Sequence, residues 1–217
     1  MSITSETPRK ILILGATGPT GRHITSQALA RGHEVTVLAR SAEKAQGLGN
    51  VRLVLGDARD ARMLREAVHN QNTVISALGT PASPFREVTL LSTATRALIE
   101  AMQAEQVSRL VAISGMGAGD SKGHGGFLFD RLIFPLILRN VYADKDRQEA
   151  LVRGSGLDWT LVRPAVLNNK PARGTVRALA DLSTFHGGTI SREDVASFVL
   201  DQVSSSEWRR ASPLISW

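Results

Sequence analysis

The chain has 217 residues, of which 42% are hydrophobic and 21% are charged, and its formal net charge is +6. Such a length and composition are ordinary for a soluble globular protein of one domain with a buried core. The chain contains no cysteine, which excludes disulfides, thiolate metal sites and a cysteine nucleophile. We expect a cytoplasmic protein, since this composition suits a reducing compartment.

The basic balance favours an anionic small molecule as the partner. A basic charge balance is also typical of proteins that bind nucleic acids. Here the charges are scattered without a run of five or six, and no nucleic-acid recognition motif is present. We therefore expect no nucleic-acid partner. The histidines show no metal-ligand spacing, so no metal site is predicted.

The first residues and the most apolar stretch of the chain indicate no membrane segment. Residues 1–8 lack the apolar core of a secretory signal and are predicted to form a flexible tail before a domain at 9–217. The stretch FLFDRLIFPLIL, at 127–138, is too short to span a bilayer and is interrupted by Asp130, Arg131 and Pro135. It is interpreted as a buried or partly exposed helix, or as the wall of a pocket. No membrane partner is expected.

The remaining chain alternates short β-branched runs with helical patterns. The predicted strands lie at 10–15, 34–39, 51–56, 72–78, 109–114 and 158–164. Helices are predicted after the first strand and near 60–70, 86–105, 127–153 and 191–204, the last opening with the capping-box pair Ser191 and Asp194. This alternation predicts an α/β fold with a single doubly wound parallel sheet, the Rossmann fold, and helices on both faces. Substrate-side loops are expected at 115–130 and 165–190.

Three glycines follow the first predicted strand in LILGATGPTGRHI, residues 12–24. Gly15 stands where the chain must turn, and Gly18 lets a pyrophosphate approach the backbone. Gly21 lies one turn into the helix, where a side chain would collide with the sheet. A turn alone is the alternative, but the strand–glycine–helix context favours a phosphate site at the helix N-terminus. The expected cradle comprises Gly15, Thr17, Gly18, Pro19, Thr20 and Gly21.

Arg40 predicts which nucleotide is bound. In NAD-selective folds an acidic residue ends the second strand and binds the ribose 2′-hydroxyl. Here that position holds Arg40, whose guanidinium suits a 2′-phosphate, with Ser41, Lys44 and Arg22 near it in sequence. A surface charge at a strand end is the alternative. NADP(H) is therefore the predicted cofactor, and NAD(H) is less favoured.

The sequence resembles the atypical short-chain dehydrogenase/reductases over about residues 9–203. The segments that carry the resemblance are GATGPTGRHITSQALARGHEVTVLAR, GDA, VISALGT, LVAISG and SGLDWTLVRPAVL, in this order. The most similar group is the NAD(P)H-binding family that includes biliverdin IXβ reductase/flavin reductase and the NmrA-like proteins. The resemblance implies an adenine contact at Asp57, although Asp57 could instead cap the next helix. Further cofactor contacts are expected at Ala58, Ala77, Leu78, Gly79, Ser114, Lys145 and Pro164.

The candidate catalytic residues are Ser114, Tyr142 and Lys145. Ser114 ends the fifth predicted strand, beside the expected nicotinamide, although a serine bonded to backbone would be found there too. Conventional short-chain reductases pair Tyr with Lys as Y-x-x-x-K, whereas Tyr142 and Lys145 are spaced Y-x-x-K. Three residues apart is still one helix face, so the pair could cooperate. A structural tyrosine and a solvated lysine are the alternatives.

The resemblance fails at two positions that bear on the substrate. Biliverdin/flavin reductases carry a serine just after strand five and a histidine after the strand-six proline, and these positions hold Gly115 and Ala165 here. Bilin reduction is therefore not expected. Met116, Phe127 and Phe129 could wall a pocket for a planar acceptor, and a helical core position is the alternative for each. His124, on a glycine-rich loop, could close over substrate or be solvated.

Two functions of different classes remain open from the sequence. The first is an NADPH-dependent oxidoreductase that transfers hydride to a planar acceptor such as a flavin or a quinone, which needs no side-chain acid. The second is an NmrA-like sensor that binds NADP(H) without turnover. A nucleotide-sugar epimerase is less favoured, because the long C-terminal substrate domain of those enzymes is not present. We expect a monomer or homodimer, with PLISW, residues 213–217, reaching the substrate side or a neighbour.

Overall fold

A computed structural model describes residues 7–217. The predicted tail therefore falls mostly outside the described residues, and only Thr7 and Pro8 are seen, exposed and without regular structure. The strands are β1 (Lys10–Leu14), β2 (Glu34–Ala39), β3 (Arg52–Leu55), β4 (Thr73–Ser76), β5 (Arg109–Ile113), β6 (Asp158–Pro164), β7 (Val166–Asn168), β8 (Arg177–Leu179), β9 (Thr189–Ser191) and β10 (Leu214–Ser216).

The predicted helices begin and end close to the expected positions. The helices are α1 (Pro19–Ala30), α2 (Ala42–Ala45), α3 (Ala61–Val68), α4 (Leu90–Ala104), α5 (Arg139–Gly154) and α6 (Arg192–Asp201). The short helix α2 was not predicted. A π-helical segment, Phe129–Leu138, contains Pro135 and runs directly into α5. The predicted helix at 127–153 is thus confirmed, with its first half wound more widely than an α-helix.

The sheet is the predicted Rossmann sheet with two additional strands. Its order is β3-β2-β1-β4-β5-β6-β10-β8, and the six predicted strands are parallel to one another. Residues 213–217 reach the predicted substrate side, because the Ile215 carbonyl accepts the N–H of Ala165 at 2.9 Å and the N–H of Trp217 donates to the Thr189 carbonyl at 3.1 Å. Contact with a neighbouring chain stays a prediction. Leu214 of β10 pairs parallel with Arg163 of β6 and antiparallel with Leu179 of β8. β7 and β9 form a separate parallel pair, so 165–190 is more structured than the predicted loop.

Helices cover both faces of the sheet, as predicted. In β1, Ile11 and Ile13 face a core shared with α1 and α6, whereas Leu12 and Leu14 face a core shared with α3, α4 and α5. Alternate strand residues point to opposite faces, and a strand covered on both faces must be apolar throughout. This explains why KILIL is a continuous apolar run rather than an alternating one.

Side-chain oxygens accept the first N–H groups of two helices, α6 and α4. The predicted cap of α6 is confirmed, because the Ser191 hydroxyl accepts the backbone N–H of Asp194 at 3.0 Å. At the start of α4, the acceptor comes from another helix. The buried carboxylate of Asp144, in α5, accepts the N–H groups of Leu91 (2.7 Å) and Ser92 (3.3 Å). Asp144 thereby fixes α4 against α5.

Residues 7–217 contain neither a helix suited to span a membrane nor a cluster of metal-ligating side chains. No helix within 7–217 has the length and apolar character needed to cross a membrane. Across the same residues, no three metal-ligating side chains gather at one place.

Candidate cofactor and acceptor site

The carboxyl ends of β1, β2 and β4 surround a cleft of about 520 Å³. Ligands of open α/β sheets bind at this edge, where the strand order reverses. The predicted residues on its wall are Gly15, Thr17, Gly18, Pro19, Thr20, Gly21, Arg40, Asp57, Ala58, Ala77, Leu78 and Gly79. The residues on its wall that the sequence did not indicate are Leu38, Ala39, Gly56, Thr80, Pro81, Leu90, Leu167 and Arg192.

The glycines of the β1–α1 turn are required by close backbone contacts. Gly15 has a φ of +79°, and a Cβ there would collide with the carbonyl group of Ala77. A Cβ on Gly21 would collide with the Gly15 carbonyl and with Cα of Ala16. The predicted obstacle to a side chain at Gly21 is therefore the turn itself rather than the sheet. The N–H of Gly18 donates to the Gly15 carbonyl at 3.0 Å and closes the turn.

The N-terminus of α1 faces this cleft without a competing anion. Gly18 caps the helix with no side-chain hydrogen bond, and no acidic residue lies in the first turn. The first N–H groups of a helix have no intrahelical acceptor, and Pro19 at the first position supplies none. Thr20 and Gly21 are therefore the donors that line the cleft. Such an end attracts a phosphate through its amides and its partial positive charge.

Arg40 and Asp57, the residues predicted to contact the adenosine part of the cofactor, lie together on the cleft wall. Arg40 is exposed directly after β2, in the position predicted from the sequence. Asp57 forms a two-point ion pair with Arg59, at 2.9 and 2.8 Å. The hydrogen bond from Arg59 lowers the pKa of Asp57 to about 2, against the opposing effect of burial. The alternative that Asp57 caps the next helix is wrong, because Asp60 caps α3.

The three residues predicted to assist Arg40 form hydrogen bonds within the turn that follows it. The hydroxyl of Ser41 accepts the N–H of Lys44 at 3.3 Å and caps α2. The guanidinium of Arg22 donates to the carbonyls of Lys44 (2.7 Å) and Gln46 (3.3 Å). Neither Ser41 nor Lys44 belongs to the cleft wall. These residues hold the segment after Arg40 in place.

The three predicted catalytic residues meet at the carboxyl end of β5, next to β4. The Lys145 ammonium donates to the Ser114 carbonyl at 2.8 Å. A Cβ on Gly115 would lie 3.2 Å from the Tyr142 hydroxyl and 3.8 Å from Cε of Lys145. Ser114, Tyr142 and Lys145 therefore form one cluster around residues 114 and 115. None of them belongs to the wall of the 520 Å³ cleft.

Ser114 carries an unsatisfied polar atom. Its side-chain Oγ is buried and has no hydrogen-bond partner within residues 7–217. The alternative of a serine bonded to backbone is therefore wrong for the side chain, although the Ser114 N–H donates to the Val162 carbonyl at 2.8 Å. Buried polar atoms are rarely left unpaired, so this hydroxyl is available to a bound molecule.

Burial shifts the pKa values of the other two members of the cluster. It lowers the pKa of Lys145 to about 8, while the carboxylates of Glu149 and Asp144 oppose that shift. Burial also raises the pKa of Tyr142 to about 12. The ring of Tyr142 packs at 5.0 Å against that of Phe134. Lys145 is thus not the solvated lysine of the alternative, and Tyr142 holds its proton tightly.

Ion pairs hold the loop after β5 against α5. The buried guanidinium of Arg163, in β6, binds both carboxylate oxygens of Glu149, at 3.0 and 2.6 Å. It also pairs with Asp120 at 2.5 Å. Burial opposes the charge of Asp120, but Arg163 holds the pKa of that carboxyl below its usual range. The N–H of Gly119 donates to Asp146 at 2.8 Å. The loop is therefore fixed beside Ser114.

Two of the residues predicted to wall an acceptor pocket, Met116 and Phe127, lie in a core and at the surface. Met116 is buried with Ala165, Phe185 and Leu214 in a small core, so it is a core residue. Phe127 is exposed to solvent, and the side chain of Phe129 lies outside the described part of the structure.

The remaining predicted residues connect the two substrate-side loops. Nδ1 of His124 lies 3.3 Å from the Phe185 carbonyl, and the His124 carbonyl accepts the N–H of Gly187 at 2.8 Å. Pro164 ends β6, where its carbonyl accepts the N–H of Met116 at 3.0 Å. The loops at 115–130 and 165–190 therefore touch each other above the end of β6.

Comparison with known proteins agrees with this architecture. ChuY, described as an anaerobilin reductase from Escherichia coli O157:H7, superposes with a TM-score of 0.81 at 23% identity, covering 95% of this chain and 96% of ChuY. A short-chain dehydrogenase/reductase from Veillonella parvula in complex with NADP gives a TM-score of 0.78 at 17% identity, covering 97% and 95%. At these identities the likeness concerns the fold.

Sequence relatives and a family model extend the comparison. A Bacillus subtilis protein named as an uncharacterized sugar epimerase, YhfK, is 28% identical over 197 residues, covering 88% of this chain and 86% of YhfK. The model of a family described as NAD(P)H-binding matches residues 15–206, which include the glycine turn, Arg40 and the Ser114 cluster. The chain therefore belongs to the NAD(P)H-binding family of Rossmann-fold proteins.

Proposed function

We propose that the protein is an NADPH-dependent oxidoreductase that reduces a planar acceptor such as a flavin or a quinone. One observation carries the proposal. The glycine turn and Arg40 line one cleft, and the unpaired Ser114 hydroxyl lies at the end of β5, the strand next to β4. Residues 9–217 act in this proposal as one cofactor-binding domain. A cytoplasmic location and a monomeric or homodimeric state stay predictions.

The cleft fits a dinucleotide phosphate. Thr20 and Gly21 lie on the cleft wall at the N-terminus of α1. Their N–H groups have no intrahelical acceptor, so a diphosphate can bind to them. Arg40 can bind a 2′-phosphate through two parallel hydrogen bonds. The nearby carboxylate of Asp57 is already paired with Arg59, so it leaves the charge of Arg40 largely available. When bound, the reduced nicotinamide supplies the hydride.

The cluster at the end of β5 supports a planar acceptor. Lys145 fixes the Ser114 backbone through its carbonyl, and the Ser114 hydroxyl is free to donate one hydrogen bond to a bound ring. A phenol with a pKa of about 12, as burial gives Tyr142, is a weak proton donor at neutral pH. An acceptor that takes its proton from water and needs mainly to be held in contact with the nicotinamide therefore suits this site.

A panel of acceptors tests the proposal. NADPH consumption is followed with FMN, riboflavin and several quinones, and a panel of nucleotide sugars serves as the control for the epimerase class named for YhfK. We expect turnover with at least one planar acceptor and faster turnover with NADPH than with NADH. Conversion of a nucleotide sugar, with no reduction of any planar acceptor, would contradict the proposal.

A second candidate is a sensor that binds NADP(H) without turnover. The high pKa of Tyr142 and its Y-x-x-K spacing to Lys145 favour this alternative, because the conventional proton donor is not tuned for catalysis. The same panel separates the two functions. Tight NADPH binding with no consumption on any acceptor would support the sensor and contradict the reductase.

A further inference from the structure

The π-helical segment and its neighbours expose an unusual amount of apolar surface. We define the outer apolar face as Phe85, Phe127, Leu128, Leu132, Leu136 and Ile137, all of which are exposed. Phe127 is 80% exposed and Phe85 is 96% exposed. Leu128, Leu132 and Leu136 follow one another at four-residue intervals along one side of the segment. Large contiguous apolar patches on a globular surface usually mark a binding face.

Phe85 is held beside the helical part of this face rather than on a free loop. The side-chain amide of Asn140, in the first turn of α5, donates to the carbonyls of Ser83 and Pro84 at 2.9 and 3.1 Å. Phe85 is the next residue, so its backbone lies near the junction of the π-helical segment with α5, and its side chain is exposed there. The loop and the helix thus contribute to the same outer apolar face.

Three arginines accompany the outer apolar face. Arg86, Arg131 and Arg139 are exposed, and none pairs with a carboxylate in the part of the chain that the structure describes. The acidic residues nearby are few. Glu87 faces Arg147 at 3.6 Å, and Asp130 is the one acidic residue between 127 and 139. The face therefore combines exposed aromatic and leucine side chains with an excess of positive charge.

The opposite side of the same segment covers the acceptor end of the site. Phe134 packs against Tyr142, whose hydroxyl lies beside Gly115. The outer apolar face therefore lies directly outside the wall of the Ser114 cluster. Whatever binds to this face is close to the point where an acceptor would enter.

We propose that the outer apolar face docks on an anionic lipid surface, which departs from the expectation of no membrane partner drawn from the sequence. An interfacial helix inserts aromatic and leucine side chains at the headgroup boundary, while arginines contact anionic headgroups. A second copy of the chain fits less well. A two-fold interface joins the same surface of both copies, so the three arginines of one face would be brought toward those of the other, and Asp130 is the one acidic residue between 127 and 139 on each copy. The proposal rests on this surface alone and is independent of the proposed reductase activity.

Vesicle sedimentation of the full chain tests the docking. The probes are phosphatidylcholine vesicles with and without phosphatidylglycerol, at low and high salt. We expect the protein to sediment with the anionic vesicles, with weaker binding at high salt. Replacement of both arginines, Arg131→Gln with Arg139→Gln, should weaken partitioning about 25-fold, since each cation near an anionic surface contributes roughly fivefold.

A matched pair of double variants separates docking from general charge effects. Leu132→Glu with Leu136→Glu places two charges on the outer apolar face, where these leucines are 48% and 67% exposed. Leu53→Glu with Leu55→Glu makes the same change on the edge strand β3, where they are 36% and 54% exposed. We expect the first pair to lower partitioning at least about tenfold more than the second.

Three results would overturn docking on lipid. Wild-type protein that stays in solution with anionic vesicles overturns it, as does equal loss of binding in the two double variants. Light scattering measures separately whether two copies of the chain associate. A wild-type dimer that becomes monomeric in the Leu132→Glu, Leu136→Glu variant would assign the face to self-association and would overturn the lipid proposal. Unchanged NADPH affinity in both double variants verifies that they remain folded.

Discussion

The proposed cofactor end and the proposed acceptor end of the site are built in different ways. At the cofactor end, the shape comes from backbone: Gly15, Gly21 and the N-terminus of α1 are packed so closely that no side chain fits. At the acceptor end, the shape comes from side chains of distant segments, with Lys145 of α5 bound to Ser114 after β5. A backbone-built site tolerates almost no substitution at its glycines, whereas a side-chain-built site can change its chemistry by single replacements. This difference explains how one cofactor fold serves several reductases.

The largest loss of NADPH binding is expected from a side chain introduced at Gly15. We expect Gly15→Ala to weaken NADPH binding by about 100-fold, because overpacking of ~3 kcal/mol falls on the turn that faces the diphosphate. Gly32→Ala is the matched control. Gly32 has a φ of +80°, close to the +79° of Gly15, but a Cβ there meets nothing within 4 Å. Calorimetric titration of both variants should show loss of binding for Gly15→Ala only.

The second prediction tests whether Arg40 selects the nucleotide. We expect Arg40→Ala to weaken NADPH binding about 30-fold, because charge-assisted hydrogen bonds contribute roughly 1.5–3 kcal/mol. NADH binding should change little. Arg52→Ala, which removes an exposed arginine at the opposite end of the sheet, should leave both affinities unchanged. Equal loss for NADPH and NADH in Arg40→Ala would remove the 2′-phosphate role of Arg40.

The third prediction concerns the acceptor end and Ser114. We expect Ser114→Ala to lower kcat about tenfold, the effect of losing one hydrogen bond to the acceptor, with unchanged NADPH affinity. The free energy of unfolding should stay equal or rise, because a buried unpaired hydroxyl is removed. Thr73→Val removes another buried unpaired hydroxyl, at the amino end of β4. It should affect stability in the same way but leave kcat unchanged; a matching loss of kcat would assign Ser114 a structural role.

The smallest expected effect is a pH dependence that originates in Lys145. Burial lowers the pKa of Lys145 to about 8, so its ammonium is charged below that pH and becomes neutral as the pH rises through it. The neutral amine donates a weaker hydrogen bond to the Ser114 carbonyl. We therefore expect kcat to fall above about pH 8 in a pH profile. Lys145→Arg should shift this decline to higher pH, because arginine keeps its charge; an unshifted decline would assign the titration to another group.

The same contrast explains what could be predicted from the sequence. The glycine turn, Arg40 and the six long parallel strands are local patterns, in which spacing alone defines the geometry. The strands β7 to β10 have three residues each and carry no periodicity from which to predict them. Arg192 reaches the cleft from a segment far along the chain, so no local signal identifies it.

The side-chain network beside Ser114 could not be predicted from the sequence either. Arg163 and Glu149 form a buried ion pair between β6 and α5, and Asp120 joins them from the loop after β5. Each residue alone reads as an ordinary surface charge, since charged residues are rarely buried unless they are paired. Only the tertiary packing brings them together, and the ion pair of Asp120 with the buried Arg163 holds the loop beside Ser114.

Calorimetric titration of the pure chain with NADP⁺ and with NAD⁺ tests the central claim most directly. The account predicts saturable heat for both nucleotides, with NADP⁺ binding at least about tenfold more tightly because its extra phosphate meets Arg40. Equal affinities would contradict the role of Arg40. The absence of heat from either nucleotide at millimolar concentration would contradict the assignment of the cleft itself.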